Sequence, residues 1–169
     1  MAEAFAAAYA DSAWQAIYCS PMSRTRATAA PLVLRVGLEP IIDEGLREIS
    51  SGEWAALTHD EASLRFPEAY AYWEADTASR GTPGGETAFE VAARAARVLE
   101  RIRCEQSSGR VLVVSHKATI RIITYALLGL GRPTAPMPNV ASRPATSGMG
   151  HSRQGDLAAP AFWTFLSGL

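Results

Sequence analysis

Residues 111–129 read VLVVSHKATIRIITYALLG, and this stretch decides the fold class. Val111 to Val114 is wholly apolar and mostly β-branched. A strand buried on both faces, as in a parallel sheet, has this form. Ser115, His116 and Lys117 follow at its end. Ala118 to Leu128 then carries helical spacing, and Gly129 stands where a helix would be capped. A buried strand leading through a short polar turn into a helix points to an α/β fold.

Working outward toward the N-terminus, Glu86 to Gln106 gives the clearest helical pattern in the chain, closed by Ser107 to Gly109. Phe89, Ala92, Ala93, Ala96, Leu99, Ile102 and Arg103 recur near the 3.6-residue period and mark its expected inner stripe. RGTPGG, Arg80 to Gly85, is a loop by composition. Gly52 to Trp73 mixes aromatic and charged residues at helical spacing, divided by Pro67. Pro40 to Leu46 reads as a strand end and a turn. WQAIYC, Trp14 to Cys19, reads as a short buried strand. Ser20 as N-cap and Pro21 at the first helical position would open a helix there, ended by Pro31. Alanine-rich Ala2 to Ala13 reads as a helix. Downstream of Gly131, Pro133, Pro136, Pro138 and Pro144 sit among Ser, Gly and Arg, and no period survives to Pro160. Residues 1–130 are therefore expected to form one α/β domain, with 131–169 an irregular C-terminal segment packing on it or trailing from it. Its apolar end, with Phe162, Trp163 and Phe165, is expected to dock on the core.

The chain has 169 residues, 48% hydrophobic and 20% charged, which is enough for one domain with a single core. A formal net charge of -1 gives no electrostatic footprint for nucleic acid or a membrane surface. Apolar runs break within about ten residues, short of the roughly 20 a spanning helix needs. Glu3 and Asp11 in the first residues, with no basic leader, oppose a signal peptide. Cys19 and Cys104 give neither a disulfide framework nor a metal cluster, so a cytoplasmic protein with reduced, buried thiols is expected.

In open α/β sheets ligands bind beyond the carboxyl ends of the strands. Two apolar runs end there in chemically able residues. SPMSRTRATAA follows the first and puts Arg24 and Arg26 in the opening turns of a helix. Ser115-His116-Lys117 follows the second at another helix start. Helix N-termini favour anions, and an arginine offers phosphate a bidentate fork. A histidine there can steady a phosphoryl group or move a proton. Taken singly, each has a plainer reading: arginines of a first turn face solvent, and a histidine after a strand is structural.

The order of the motifs is more specific. Ser20-Pro21-Met22-Ser23-Arg24 with Thr28-Ala29, Leu46-Arg47-Glu48 leading to Gly52-Glu53-Trp54, Pro83-Gly84-Gly85-Glu86-Thr87, and Val111 to His116 occur in one succession. Together they resemble the histidine phosphatase (phosphoglycerate-mutase-like) superfamily, and its broad-specificity phosphatase branch most. The resemblance covers about Ala2 to Leu130. It implies a three-layer α/β/α fold with a mostly parallel sheet. It also implies phosphomonoester hydrolysis through a phosphohistidine, without metal or cofactor, on a small phosphorylated metabolite. Carried over residue by residue, Arg24 binds the phosphate, Glu48 donates a proton to the leaving group and His116 stabilises the transferring phosphoryl. Ser115 and Glu86 join Arg24 in binding substrate, Glu86 by fixing the pocket wall, and Arg121 pairs structurally. Lys117 departs from the small residue usual after that histidine; as a substrate-binding candidate it adds positive charge that would favour a more anionic substrate, and its plainer reading is a side chain facing solvent.

One departure stands out. The family's phosphate-accepting histidine lies in Arg-His-Gly on a first, central strand. None of His59, His116 and His151 stands between an arginine and a glycine. The sheet is accordingly expected to lack that strand and to leave its neighbours with unpaired backbone. Two functional expectations follow: a phosphatase in its complete form, or a catalytically inactive module that binds a phosphate ligand or a partner. A serine hydrolase is disfavoured, because no Gly-x-Ser-x-Gly elbow occurs.

Overall fold

The computed structural model describes residues 1–129 and the backbone of residues 162–167. Its elements in order are α1 (Ala2–Tyr9), β1 (Trp14–Cys19), α2 (Ser23–Val36), β2 (Ile41–Ile42), 3₁₀ turns at Glu44–Leu46 and Gly52–Trp54, α3 (His59–Arg65), α4 (Pro67–Ala75), α5 (Ala88–Glu105), β3 (Arg110–Ser115), α6 (Lys117–Leu127) and β4 (Phe162–Ser167). The strands lie in the order β2-β1-β3-β4, and every pairing is parallel. This is the expected three-layer α/β architecture.

The sequence dictates the layers through strand alternation. Val111 and Val113 of β3 point to one face, into a core with Ala16, Tyr18, Leu46, Ala95, Val98, Leu99, Ile102 and Ile123. Leu112 and Val114 point to the other, into a core with Ala6, Trp14, Ile17, Cys19, Ala29 and Leu32. Helices α5 and α6 thus cover one face, and α1 and α2 the other. The pairing shifts register between Trp14 and Ala16, so Gln15 is an extra residue opposite β3. That bulge lets Trp14 share a face with Ile17, which strict alternation would forbid.

Several expectations need correction. Ser20 does not cap α2: the helix starts at Ser23 after Met22, and no side chain caps it. The Ser20 hydroxyl is engaged elsewhere, as described below. Pro31 does not end α2, which runs on to Val36. Beyond the proline, Leu32 is buried and Val33 and Val36 pack against the same core, and this burial outweighs the missing N–H. In α5 the buried side is Ala88, Val91, Ala95, Val98, Leu99 and Ile102, while Phe89 is exposed. The alanines of this helix take buried, half-buried and exposed positions and do not mark its phase; the valines, Leu99 and Ile102 do. β3 is paired along both edges, by β1 and by β4, so the unpaired backbone expected beside the central strands is absent there. The end of the chain docks as β4. The irregular structure expected over residues 131–160, and His151 within it, lies outside the described residues. No helix among the described residues is long and apolar enough to cross a membrane.

Candidate functional site

Because all four strands run parallel, the ends of β1 and β3 open on the same side of the sheet. Ser20 leaves β1 and His116 leaves β3, and both are buried. Ser20 Oγ meets His116 Nε2 at 2.8 Å. The first turn of α2 then carries Arg24 back over the histidine, and Arg24 Nε donates to His116 Nδ1 at 3.1 Å. Thr25 locks this turn by donating its hydroxyl to the carbonyls of Ser20 and Met22, at 3.0 and 2.7 Å. Burial, then the Arg24 guanidinium, hold the imidazole below its ordinary value of 6.5, with Glu48 opposing them.

His116 occupies the N-cap position of α6 but gives the helix no side-chain cap. Glu48 supplies it from between the two 3₁₀ turns, in the insert that joins β2 to α3. Its Oε1 accepts from Thr119 N at 3.1 Å and from the Thr119 hydroxyl at 3.2 Å, and its Oε2 from Ala118 N at 3.4 Å. A carboxylate suits the positive end of a helix. Glu48 is thereby fixed beside His116, at the same strand ends.

An open cavity of about 800 Å³ lies in front of these residues, with Arg24, Arg47, Glu48, Ser51, Glu86 and Arg94 among its walls. Arg94 reaches across from α5 and gathers the insert. It forms a bidentate pair with Glu86, at 2.8 and 3.0 Å, and donates to the carbonyls of Gly45 and Glu48, at 2.8 and 3.3 Å. This pairing holds the Glu86 carboxyl below its usual range. Arg47 pairs with Glu44 at 3.1 Å. Among the described residues lining the cavity, Arg24 is the arginine that meets no carboxylate.

The cavity rim is a backbone seam between two loops. Glu53 N donates to Pro83 O and Glu86 N to Ser50 O, each at 2.9 Å. A Cβ on Gly52 would fall 2.1 Å from Pro83 O, and one on Gly85 would fall 2.6 Å from Ser50 O. Only glycine permits the two strands of chain to approach this closely.

The structure therefore brings together Arg24, Glu48, His116 and Glu86. It does not bring Ser115 to the cavity: that side chain is buried and donates to Leu46 O at 2.7 Å, tying β3 to the first 3₁₀ turn. Lys117 is exposed at the first position of α6, Arg121 is half-buried further along it, and Arg26 is exposed on α2. His59 opens α3 on the surface beside Tyr70 and Trp73. No cluster of three or more potential metal ligands occurs among the described residues. Sequence reasoning missed two residues, Ser20 as the partner of His116 and Arg94. The signal for Arg94 was available, since it lies between Val91, Ala95 and Val98 on the face of α5 that turns inward.

Comparison with known proteins adds an independent line. The family model described as "Histidine phosphatase superfamily (branch 1)" matches residues 1–147. Glucosyl-3-phosphoglycerate phosphatase of Mycobacterium tuberculosis is 34% identical over 160 residues, 90% of this chain and 64% of its own length. Phosphoserine phosphatase 1 of Hydrogenobacter thermophilus is 32% identical over 114 residues, 68% of this chain and 54% of its own length. The native structure of a mycobacterial glucosyl-3-phosphoglycerate phosphatase superposes with a TM-score of 0.68 at 30% identity, covering 76% of this chain and 64% of that one. The same mycobacterial enzyme has been solved with VO3 and with inorganic phosphate, at TM-scores of 0.68 and 0.66. The chain spans less than two thirds of the length of each of these relatives.

Proposed function

The chain belongs to the histidine phosphatase superfamily, and from that premise we propose that its cavity binds the phosphate of a small phosphorylated metabolite and that the complete protein is a phosphomonoester phosphatase. The observation that supports this most directly is Arg24, a cation without a carboxylate partner among the described cavity residues, set over His116 at the carboxyl ends of β1 and β3. Arginine and histidine there are preorganised for the charge on the equatorial oxygens of a transferring phosphoryl group. In the family reaction a histidine nitrogen attacks phosphorus, the bond to the substrate oxygen breaks, and water then cleaves the phosphorus–nitrogen bond. Glu48 is our candidate proton donor to the leaving oxygen. To act so it would first release one of its helix contacts, of which the one to Ala118, at 3.4 Å, is the longest. Glu86, through Arg94, holds the wall that carries Glu48. The relatives' substrates, glucosyl-3-phosphoglycerate and phosphoserine by their names, set the chemical class.

A second reading is favoured by one observation. None of the three histidines stands in an Arg-His-Gly sequence, so this chain by itself has no counterpart of the phosphate-accepting residue. On that reading the site binds a phosphate ligand without turning it over. Hydrolysis of an aryl phosphate by the chain and by His116→Ala, alongside thermal unfolding with and without inorganic phosphate, separates the two. Turnover that the variant loses supports the enzyme. No turnover, with phosphate protection approaching about 2.7 kcal/mol at a hundredfold excess over the dissociation constant, supports the binding module. A folded chain showing neither overturns both.

A further inference from the structure

We infer that the cavity selects phosphomonoesters whose phosphate is their only anionic group, and that it seats the uncharged organic part against the turn Trp54–Leu57. The inference deepens the reading of this cavity as a phosphate site and rests on it.

Charge sets the first limit. Among the described residues that line the cavity, Arg24, Arg47 and Arg94 stand against Glu44, Glu48 and Glu86, so the signs balance. Arg94 is committed: its side chain is 16% exposed and donates to Glu86 and to the carbonyls of Gly45 and Glu48. Arg47 pairs with Glu44 at 3.1 Å. Arg24 remains to answer one anion, and the phosphate is that anion. Glu48, the candidate proton donor to the leaving oxygen, is next in the chain to Arg47, so the leaving group lies among these residues. A second anion on it would have to displace Glu44 from Arg47 while standing beside Glu48. Like charges brought together in a cleft weigh against binding.

The uncharged part meets a wall made for it. Ala55 has φ -54° and ψ 130°, Ala56 has φ 68°, and Leu57 N donates to Trp54 O at 3.0 Å. These values define a type II turn, whose third residue is ordinarily glycine. Ala56 is the one non-glycine residue with positive φ among the described residues. Both alanines are exposed and line the cavity, where Met22 and Ile49 join them as its apolar part. A left-handed residue tolerates a methyl group far better than a branched or bulky side chain, so the backbone itself keeps this part of the mouth wide. Trp54, 6% exposed, anchors the turn. Its ring stacks on Phe66 and Tyr70 with centroids at 6.3 and 5.7 Å, and Trp73 meets it edge-on at 5.7 Å. Helices α3 and α4 thus hold the wall in place before any ligand arrives. At about 800 Å³ the cavity has the size of a site for a whole organic molecule, not for phosphate alone.

Phosphonates test this without turnover, because their phosphorus–carbon bond does not hydrolyse. Titration calorimetry on the whole chain compares inorganic phosphate with methyl-, butyl- and benzylphosphonate and with 3-phosphonopropionate, whose length is close to that of butylphosphonate. Benzylphosphonate should bind about tenfold more tightly than methylphosphonate. 3-Phosphonopropionate should bind more weakly than butylphosphonate. Ala55→Phe, at a turn position open to most residues, should bring benzylphosphonate down toward methylphosphonate. Glu44→Gln, which frees Arg47, should close or reverse the gap between 3-phosphonopropionate and butylphosphonate. Wild-type protein that binds 3-phosphonopropionate as tightly as butylphosphonate, or benzylphosphonate no more tightly than methylphosphonate, overturns the inference and leaves the phosphate-site reading intact. Full benzylphosphonate affinity in Ala55→Phe overturns the role given to the turn, and an unchanged gap in Glu44→Gln overturns selection by charge. Absence of binding by inorganic phosphate and by every phosphonate overturns the phosphate-site reading and the inference with it.

Discussion

His116 affects stability as well as ligand chemistry. Unfolded, its imidazole titrates near its ordinary value of 6.5; folded, burial and Arg24 hold it lower. Between those two values the unfolded chain binds a proton that the folded chain refuses. Stability is therefore fully present above pH 6.5 and is lost as pH falls from there toward the folded value. In His116→Gln this loss should vanish, leaving the later acid decline in which Glu86, held low by Arg94, takes part below its ordinary 4.5. Urea denaturation of the two proteins across this range measures the difference; parallel curves would sink the account. How far residues were legible follows from their partners. Arg24, Glu48 and His116 follow landmarks in the sequence, two at strand ends and one before Gly52-Glu53-Trp54, and the motifs reach them. Ser20, expected to cap a helix, meets His116 instead, and Ser115, expected to bind substrate, gives its hydroxyl to the carbonyl of Leu46. A serine hydroxyl serves a helix, a carbonyl or an imidazole equally well, and only the fold says which it meets.

Among the elements, α2 carries an internal strain that substitution can reveal. Pro31 sits well inside a helix that continues to Val36. It leaves the carbonyl of Ala27 without its helical partner and forces a ring into the preceding turn. Pro31→Ala restores the N–H. Its gain, offset by the greater freedom of the unfolded chain, should be about 1–2 kcal/mol, read as a higher melting temperature. A lower melting temperature would mean that the half-buried ring packs better than the helix bonds it displaces. The same helix shows why element ends were less legible than their cores. Proline is a strong local stop, but Leu32, Val33 and Val36 lie beyond it and bury themselves against Ile17, Leu112 and their neighbours. Tertiary packing decided the boundary. β1 and β3 could be read to within a residue, since a short apolar run buried on both faces leaves little choice. The phase of α5 could not, because its alanines are buried at some positions and exposed at others.

At the scale of the molecule, β4 completes the pairing of β3, a strand buried at every position but Arg110. Removing the residues from 161 onward would leave the outer edge of β3 without backbone partners, a row of open donors and acceptors in an apolar surround. The shortened chain should lose cooperative unfolding and associate edge to edge; gel filtration and urea titration report both. A monomeric truncation with unchanged stability would show that β4 contributes little. The rim of the cavity has a different kind of consequence. Gly52 and Gly85 face each other's loops so closely that a single added carbon does not fit on either. Every missense change in a glycine codon adds that carbon. For these two codons inheritance is therefore nearly binary, glycine or damage, and no second change in the opposite loop can compensate, since what stands in the way is main chain that every residue carries.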